Sequence, residues 1–338
     1  MRESSPDVRE WLHSRLFVVW DMDGGTRVAA NGRRVVDGPI LSLFNGHHGN
    51  RPGYWVLTDV PQYPNGFTAA EVNRELYEGL STHRLTRSYA WDPDAADFMD
   101  HLRRAEQVGG VVRDVAYLFM TTLELNSVET SQLATGVGAL TERLWRLGVR
   151  QGIATNNSIV AARSALRQHG LDDGRFAAIC GRLADGSLHL KPYPDIVDQT
   201  VRQLGIPPEL TGAGAFIEDS VKNVAAGRAL GIPVVGITGH NPEKARQFRE
   251  AGAAFTVDSV KDLWLPGRLG EARRSRSRAL LRTPAKGLGT VGKLKDVPPR
   301  QPAAGDGDPG RHQPPRRSAA RNPPTRRLRG PGDGPGVG

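Results

Sequence analysis

A single cysteine, Cys180, stands among 338 residues, which excludes an internal disulfide and fits a reducing compartment. Aromatic residues make up only 6% of the chain, and from Pro266 to Gly338 there is no Phe, Trp or Tyr. That last segment is dense in Pro, Gly and Arg and cannot bury enough apolar surface to offset its ordering entropy, so 266–338 reads as a disordered tail. No apolar run approaches the ~18–20 residues of a membrane-spanning helix, and the charged opening MRESSPDVREWLHSR lacks the apolar region of a signal peptide. The expectation is a cytoplasmic protein that does not engage a membrane.

The formal charge of +9 is also less informative than it looks. The tail from Pro266 onward holds 17 Lys/Arg against 5 Asp/Glu, a net of +12, so residues 1–265 carry −3. Basic charge confined to a tail is no nucleic-acid signal for the folded part, and the run Arg273–Arg278 has no interleaved aromatic to stack on bases.

What is present is organised around Leu16–Thr26, LFVVWDMDGGT. Phe17, Val18, Val19 and Trp20 form an unbroken apolar run, the mark of a strand buried on both faces of a parallel sheet. The run ends at Asp21, with a second acid at Asp23 and two glycines behind. Further on, Asn31-Gly32 predicts a hairpin, Thr68–Glu71 has capping-box spacing ahead of Val72, Leu76 and Leu80, and Asp92-Pro93 predicts the start of a helix through Phe98 and Leu102. Val111–Leu125 and Val128–Thr135 read as helical. Strands and helices then alternate: a helix over Val137–Leu147, strand Val149–Ala154, helix Ile159–His169, strand Phe176–Cys180, and a helix opening at Lys191-Pro192. Strand Ala215–Ile217, a helix to Leu230, strand Pro233–Ile237, helix Pro242–Ala251 and strand Ala254–Val257 follow. This alternation predicts βαβ units and a doubly wound parallel sheet.

Three strand tips end in polar residues: Asp21/Asp23, Thr155/Asn156 and Glu218/Asp219. In a doubly wound sheet such tips share one edge, where ligands bind. Carboxylates from two strands suit an oxygen-loving cation such as Mg²⁺, and a hydroxyl, helix-start N–H groups and Lys191 suit a phosphate. Each residue has a plainer reading: Glu218-Asp219-Ser220 as a helix cap, Thr155-Asn156 as another, and Lys191 as a surface lysine. Two acids ending a buried strand are harder to set aside, because they are costly to bury without a partner. His47-His48 has no second ligand pair at metal spacing, and Cys180 reads as a small buried hydrophobe.

In order and spacing, DMDGGT, the apolar strand ending in Thr155, Lys191-Pro192 and the acidic pair of FIEDS resemble the four motifs of the haloacid dehalogenase superfamily. The chain is most similar to the branch of β-phosphoglucomutase-like and phosphoglycolate-phosphatase-like enzymes, whose helical cap follows the first motif; here Gly25 stands where that motif has Thr. The resemblance implies a Rossmann-like α/β core over 1–27 and 135–265, with a mostly helical cap over 28–134. It implies Asp21 as the nucleophile forming an aspartyl-phosphate and Asp23 as the general acid/base. Thr155 and Asn156 would bind the phosphoryl group and Lys191 would neutralise it, while Asp21, the carbonyl of Asp23, Glu218 and Asp219 would hold Mg²⁺. His83 and Arg84, in the cap segment GLSTHR, would contact the substrate. The implied activity is a Mg²⁺-dependent phosphatase acting on a small phosphorylated metabolite such as a sugar or polyol phosphate. A phosphomutase using the same intermediate and a non-catalytic binding protein on the same fold are the rival readings. Because the tail carries no core-forming residues, truncation after Pro266 is expected to leave kcat/KM within a few fold; a large loss in a truncate that still folds would contradict this.

Overall fold

A computed structural model describes residues 7–24, 26–28, 34–36, 38–43, 69–82, 84–85, 98–183 and 185–265. The first elements are α1 (Val8–His13), β1 (Phe17–Trp20), β2 (Thr26–Val28), β3 (Arg34–Val36) and β4 (Leu41–Ser42). Three helices follow, α2 (Ala69–Thr82), α3 (Phe98–Val108) and α4 (Gly110–Ser127), and then β5 (Gln132–Leu133). The remainder alternates: α5 (Val137–Arg146), β6 (Arg150–Ser158), α6 (Ile159–Gln168), β7 (Ala178–Arg182), α7 (Asp195–Gln203), β8 (Gly214–Glu218), α8 (Val224–Ala229), β9 (Val234–Ile237), α9 (Pro242–Ala251) and β10 (Phe255–Val257).

Six strands form one parallel sheet in the order β10-β9-β8-β1-β6-β7. The chain runs outward from β1 through β6 to β7, then crosses back to lay β8 on the other side of β1. Phe17–Trp20 is thereby paired with Arg150–Ile153 on one flank and Gly214–Ile217 on the other. The reversal of winding at β1 puts the C-terminal tips of β1, β6 and β8 side by side, the place where open α/β sheets bind ligands.

Both faces of the sheet are buried, as the unbroken apolar run of β1 predicts. Val18, Trp20, Ile153, Ala215 and Ile217 join one core with residues of α5 and α6, while Phe17, Val19, Ala154, Phe216 and Val234 join a second with residues of α7 and of α2–α4. Successive residues of a strand face opposite sides, so each strand feeds both cores. Local sequence sets the helix ends: the Ser158 side chain accepts from Ala161 N–H, Asn241 accepts from Glu243 and Lys244 ahead of Pro242, and Gly252 closes α9 at a φ of 93°.

The segment between β1 and α5 differs in part from expectation. Val128–Thr135 is not a helix: Val128 ends α4, and Leu133 of β5 pairs antiparallel with Leu41 of β4. Pairing with Leu41 overrides a helical pattern that carried little intrinsic preference. Ala134 also donates to the carbonyl of Ile40, and Leu41 to that of Met22, so the chain leaves and re-enters the sheet region at one place. β2 and β3 pair antiparallel as the hairpin reading requires, with Asn31-Gly32 itself outside the described residues, as are Thr68, Asp92-Pro93, His47-His48 and 266–338. α1 was not foreseen; it buries Leu12 and stacks Trp11 on Phe255 at 4.7 Å. α7 begins at Asp195 rather than Pro192, since Tyr193 precedes Pro194 and a residue before proline disfavours the helical region.

At Gly214 of β8 there is no room for a side chain. A Cβ there would run into the ring of Phe17, its strand partner. Gly214→Ala is expected to lower the urea unfolding free energy by about 1–3 kcal/mol through overpacking, and adding Phe17→Leu to recover part of it. An unchanged midpoint in Gly214→Ala would show that the ring moves aside freely.

Candidate active site

The site grows from the end of β1. Asp21 continues the strand, its N–H donating to the carbonyl of Ile217 on β8 at 2.8 Å, and its side chain is buried. Asp21 Oδ1 accepts from the N–H of Met22 at 2.8 Å and lies 2.8 Å from the Nζ of Lys191. The same ammonium stands 2.9 Å from Oε2 of Glu218, the last residue of β8. Lys191 is 0% exposed, so the surface-lysine reading fails. Its backbone is clasped by Asn156, whose Oδ1 accepts from Lys191 N–H at 2.8 Å and whose Nδ2 donates to the Lys191 carbonyl at 3.3 Å. From α3, Arg103 Nε donates to that carbonyl at 3.0 Å.

Glu218 does more than flank the lysine. Its Oε1 accepts from the N–H groups of Asp219 and Ser220 and from Asn223 Nδ2, at 3.1, 2.9 and 3.2 Å. That folds the turn after β8 and presents Asp219, which is half-buried with Lys244 Nζ 3.9 Å away. One carboxylate oxygen from each of Asp21, Glu218 and Asp219 falls within 4.8 Å of the others.

Asp23 stands apart from those three. Leu41 forms a parallel bridge with it, using the carbonyl of Met22 and the N–H of Gly24, which leaves the Asp23 carbonyl outside the bridge. Its carboxylate accepts from Leu43 N–H at 2.8 Å and from Asn157 Nδ2 at 3.4 Å. A Cβ on Gly24 would run into the Cα of Gly38, so the turn behind Asp23 depends on two facing glycines. Thr155 is buried, with its Oγ1 accepting from Asn157 N–H at 3.1 Å.

The electrostatics follow from four carboxylates gathered at the adjoining tips of β1 and β8. Burial and the charge of Glu218 push Asp21 well above the carboxylate range, against the pull of Lys191. Burial alone would lower the Lys191 ammonium, but Asp21 and Glu218 together hold it above its ordinary value. Burial raises Asp219 to about 7, with Lys244 opposing and the charges of Glu218 and Asp23 adding to the rise. Asp23 is raised to about 6 by burial, offset by its bonds from Leu43 and Asn157 and increased by the charge of Glu124.

Seven of the expected residues are thus at one sheet edge: Asp21, Asp23, Thr155, Asn156, Lys191, Glu218 and Asp219. His83 lies outside the described residues. Arg84 lies in an exposed turn two residues beyond α2 at a φ of 57°, its N–H donating to the carbonyl of Ser81, and no hydrogen bond or ion pair joins it to the cluster. Sequence reasoning missed Asn157, Arg103, Asn223, Glu124 and Arg182. Asn157 was hidden in a Thr-Asn-Asn-Ser run that also reads as a helix cap, and Arg103 and Glu124 sit in helical runs with no local sign of a polar role.

A family model described as haloacid dehalogenase-like hydrolase matches residues 45–231, more than half of the chain, beginning after Asp21 and Asp23 and spanning Thr155, Lys191, Glu218 and Asp219. A predicted phosphatase from Clostridium acetobutylicum is 16% identical, covering 79% of this chain and 99% of its own at a TM-score of 0.48. A hydrolase of the same superfamily from Deinococcus radiodurans, with bound phosphate and sodium, is 21% identical over 81% of this chain and 100% of its own, with a TM-score of 0.42. CbbY from Rhodobacter sphaeroides, in complex with phosphate, is 24% identical over 56% and 78%, with a TM-score of 0.38. At these identities and scores the assignment rests on the family model: the chain belongs to the haloacid dehalogenase-like hydrolases.

Proposed function

We propose that the chain is a phosphatase that hydrolyses a small phosphorylated metabolite, a sugar or polyol phosphate, through an aspartyl-phosphate on Asp21. The observation that carries this reading is the buried Lys191 ammonium, 2.8 Å from Asp21 and 2.9 Å from Glu218. A carboxylate cannot approach a phosphate dianion unless its like charge is met by fixed positive charge, and Lys191 supplies it at the attacking oxygen. In the first step an Asp21 oxygen bonds to phosphorus while the ester oxygen departs and takes a proton from Asp23. In the second, water attacks that phosphorus, Asp23 takes its proton, and the Asp21 carboxylate is released with inorganic phosphate. A carboxyl held near 6 can be both donor and acceptor at neutral pH. Thr155 and Asn156 are proposed to orient the phosphoryl oxygens.

The donor set fits a divalent cation. It is all oxygen, its three carboxylates converge within 4.8 Å, and two of them are pushed upward by burial and by the negative charge of their neighbours. Glu218 has committed both oxygens to Lys191 and to the turn N–H groups, so Asp21 and Asp219 are the proposed side-chain ligands, with the Asp23 carbonyl beside them. Bound there, Mg²⁺ would neutralise charge developing on the phosphoryl oxygens. We also propose that residues 28–134 act as a cap over this edge, on the strength of Arg103 at the Lys191 carbonyl and of Asp100 paired with Lys222 at 3.1 Å.

Asp21→Asn is expected to abolish turnover on both p-nitrophenyl phosphate and β-glycerophosphate. Asp23→Asn keeps the nucleophile, so a rate lower by ~10²–10⁴-fold should remain for β-glycerophosphate, with a smaller loss for p-nitrophenyl phosphate, whose leaving group needs little protonation. Wild-type turnover in Asp21→Asn would remove the nucleophile assignment. Separately, Mg²⁺ added to EDTA-treated protein should raise Tm, because a ligand bound only to the folded state stabilises it, and Asp219→Asn should abolish the increment. An equal increment in Asp219→Asn would place the cation elsewhere.

A further inference from the structure

One buried charge pair near the tip touches none of the reacting groups, although the charge of Glu124 adds to the rise at Asp23. Arg182 at the end of β7 and Glu124 on α4 lie 3.0 Å apart, with side chains 1% and 0% exposed. Such a pair is weak support for stability, because desolvation of both ions cancels much of their attraction. This one also leaves Glu124 Oε1 and Arg182 Nε buried without hydrogen-bond partners. A pair selected for stability alone would be expected to satisfy them.

Its remaining bonds converge on one short stretch of backbone. Glu124 Oε2 accepts the N–H of Ser158 at 2.8 Å, and Arg182 Nη1 donates to the carbonyl of Asn156 at 2.9 Å. Arg182 Nη2 adds a 3.3 Å bond to Thr121 Oγ1 on α4. The stretch needs such anchors, because the pairing of β6 with β7 shifts register between Ala154 and Ser158, leaving 155–157 outside the regular ladder. Between the two anchored residues lies Asn157, whose amide donates to Asp23 Oδ2.

We propose that Glu124 and Arg182 are positioning residues for the general acid: they clamp Asn156 and Ser158 on either side of Asn157, so that Asn157 holds Asp23 toward the leaving oxygen. The proposal rests on the phosphatase reading of the tip. It accounts for the geometry of the pair, for its incomplete satisfaction and for its place beneath an irregular strand end.

The test is the ratio of kcat/KM for β-glycerophosphate to that for p-nitrophenyl phosphate, which cancels any loss of folded protein. In Glu124→Ala the ratio should fall by about 100-fold, the signature of impaired proton donation, with p-nitrophenyl phosphate hydrolysis down only a few fold. Arg182→Met should move it in the same direction. Glu124→Gln keeps one acceptor oxygen, which can take the place of Oε2 toward Ser158 N–H and Arg182, and should restore a ratio within a few fold of wild type. Equal losses on the two substrates, or none, would overturn the proposal. Hydrogen exchange reports on the clamp without any turnover: the Ser158 amide should exchange at least ~10-fold faster in Glu124→Ala than in wild type and regain protection in Glu124→Gln. Unchanged exchange would overturn the clamp whatever the reaction, whereas wild-type protein that hydrolyses neither phosphate ester would overturn the phosphatase reading and leave the exchange result standing.

Discussion

The candidate site depends on one interaction, the ammonium of Lys191 held in the interior between Asp21 and Glu218. A lone lysine taken out of water would surrender its proton, and two facing carboxylates would take one up. Between them Lys191 keeps its proton despite burial, and the strand tips that supply or support the three groups are thereby tied together. Glu218 uses its second oxygen to fold the turn that presents Asp219, while Asn156, from the tip of β6, brackets the lysine backbone. Removing one member of such a buried set typically costs ~3–5 kcal/mol, because it strands the charge left behind. The tip is held by ion pairing where the rest of the sheet is held by apolar packing.

That arrangement leaves positive charge in short supply. Asp21, Glu218 and Asp219 converge with Asp23 close by, and among the described residues the cations beside them are Lys191 and, farther off, Lys244. Burial first, and nearby negative charge second, push Asp23 and Asp219 to about 6 and about 7. The same deficit that disfavours the folded carboxylates favours whatever cation enters, and a carboxyl near neutrality is ready to exchange protons. Two neighbouring acids are thereby separated by their surroundings. Asp21 faces a fixed ammonium, whereas Asp23 faces an amide and a backbone N–H, which hold its direction while leaving its proton free to move.

The fold was legible in the sequence because its signal is periodic. Phe17–Trp20 shows no polar alternation and is buried on both faces; the helices that alternate with strands end where Gly148, Gly170 and Gly252 break them. The tip acids were legible for a related reason, since Asp21 and Asp23 interrupt an apolar run where burial makes acids costly. The misses fall where a residue's role is set by contacts distant in sequence. Leu133 became a strand only because Leu41, about ninety positions away, is there to pair with it. Glu124 reads as an ordinary helical acid until Arg182 is brought against it, and Asn157 as a cap residue until Asp23 is. Lys191 is the instructive middle case: its position was read from a motif, but its complete burial is visible only in three dimensions.

In the proposed reaction an oxygen of Asp21 bonds to phosphorus. Rapid acid quench of enzyme turning over a ³²P-labelled substrate, followed by peptide mapping, tests it most directly, because acyl phosphates survive brief acid and are cleaved by hydroxylamine. The account predicts hydroxylamine-sensitive label on the peptide containing Asp21, absent in Asp21→Asn and accumulating in Asp23→Asn, where water is no longer activated. Label on any other residue, or rapid turnover with no label at all, would contradict it.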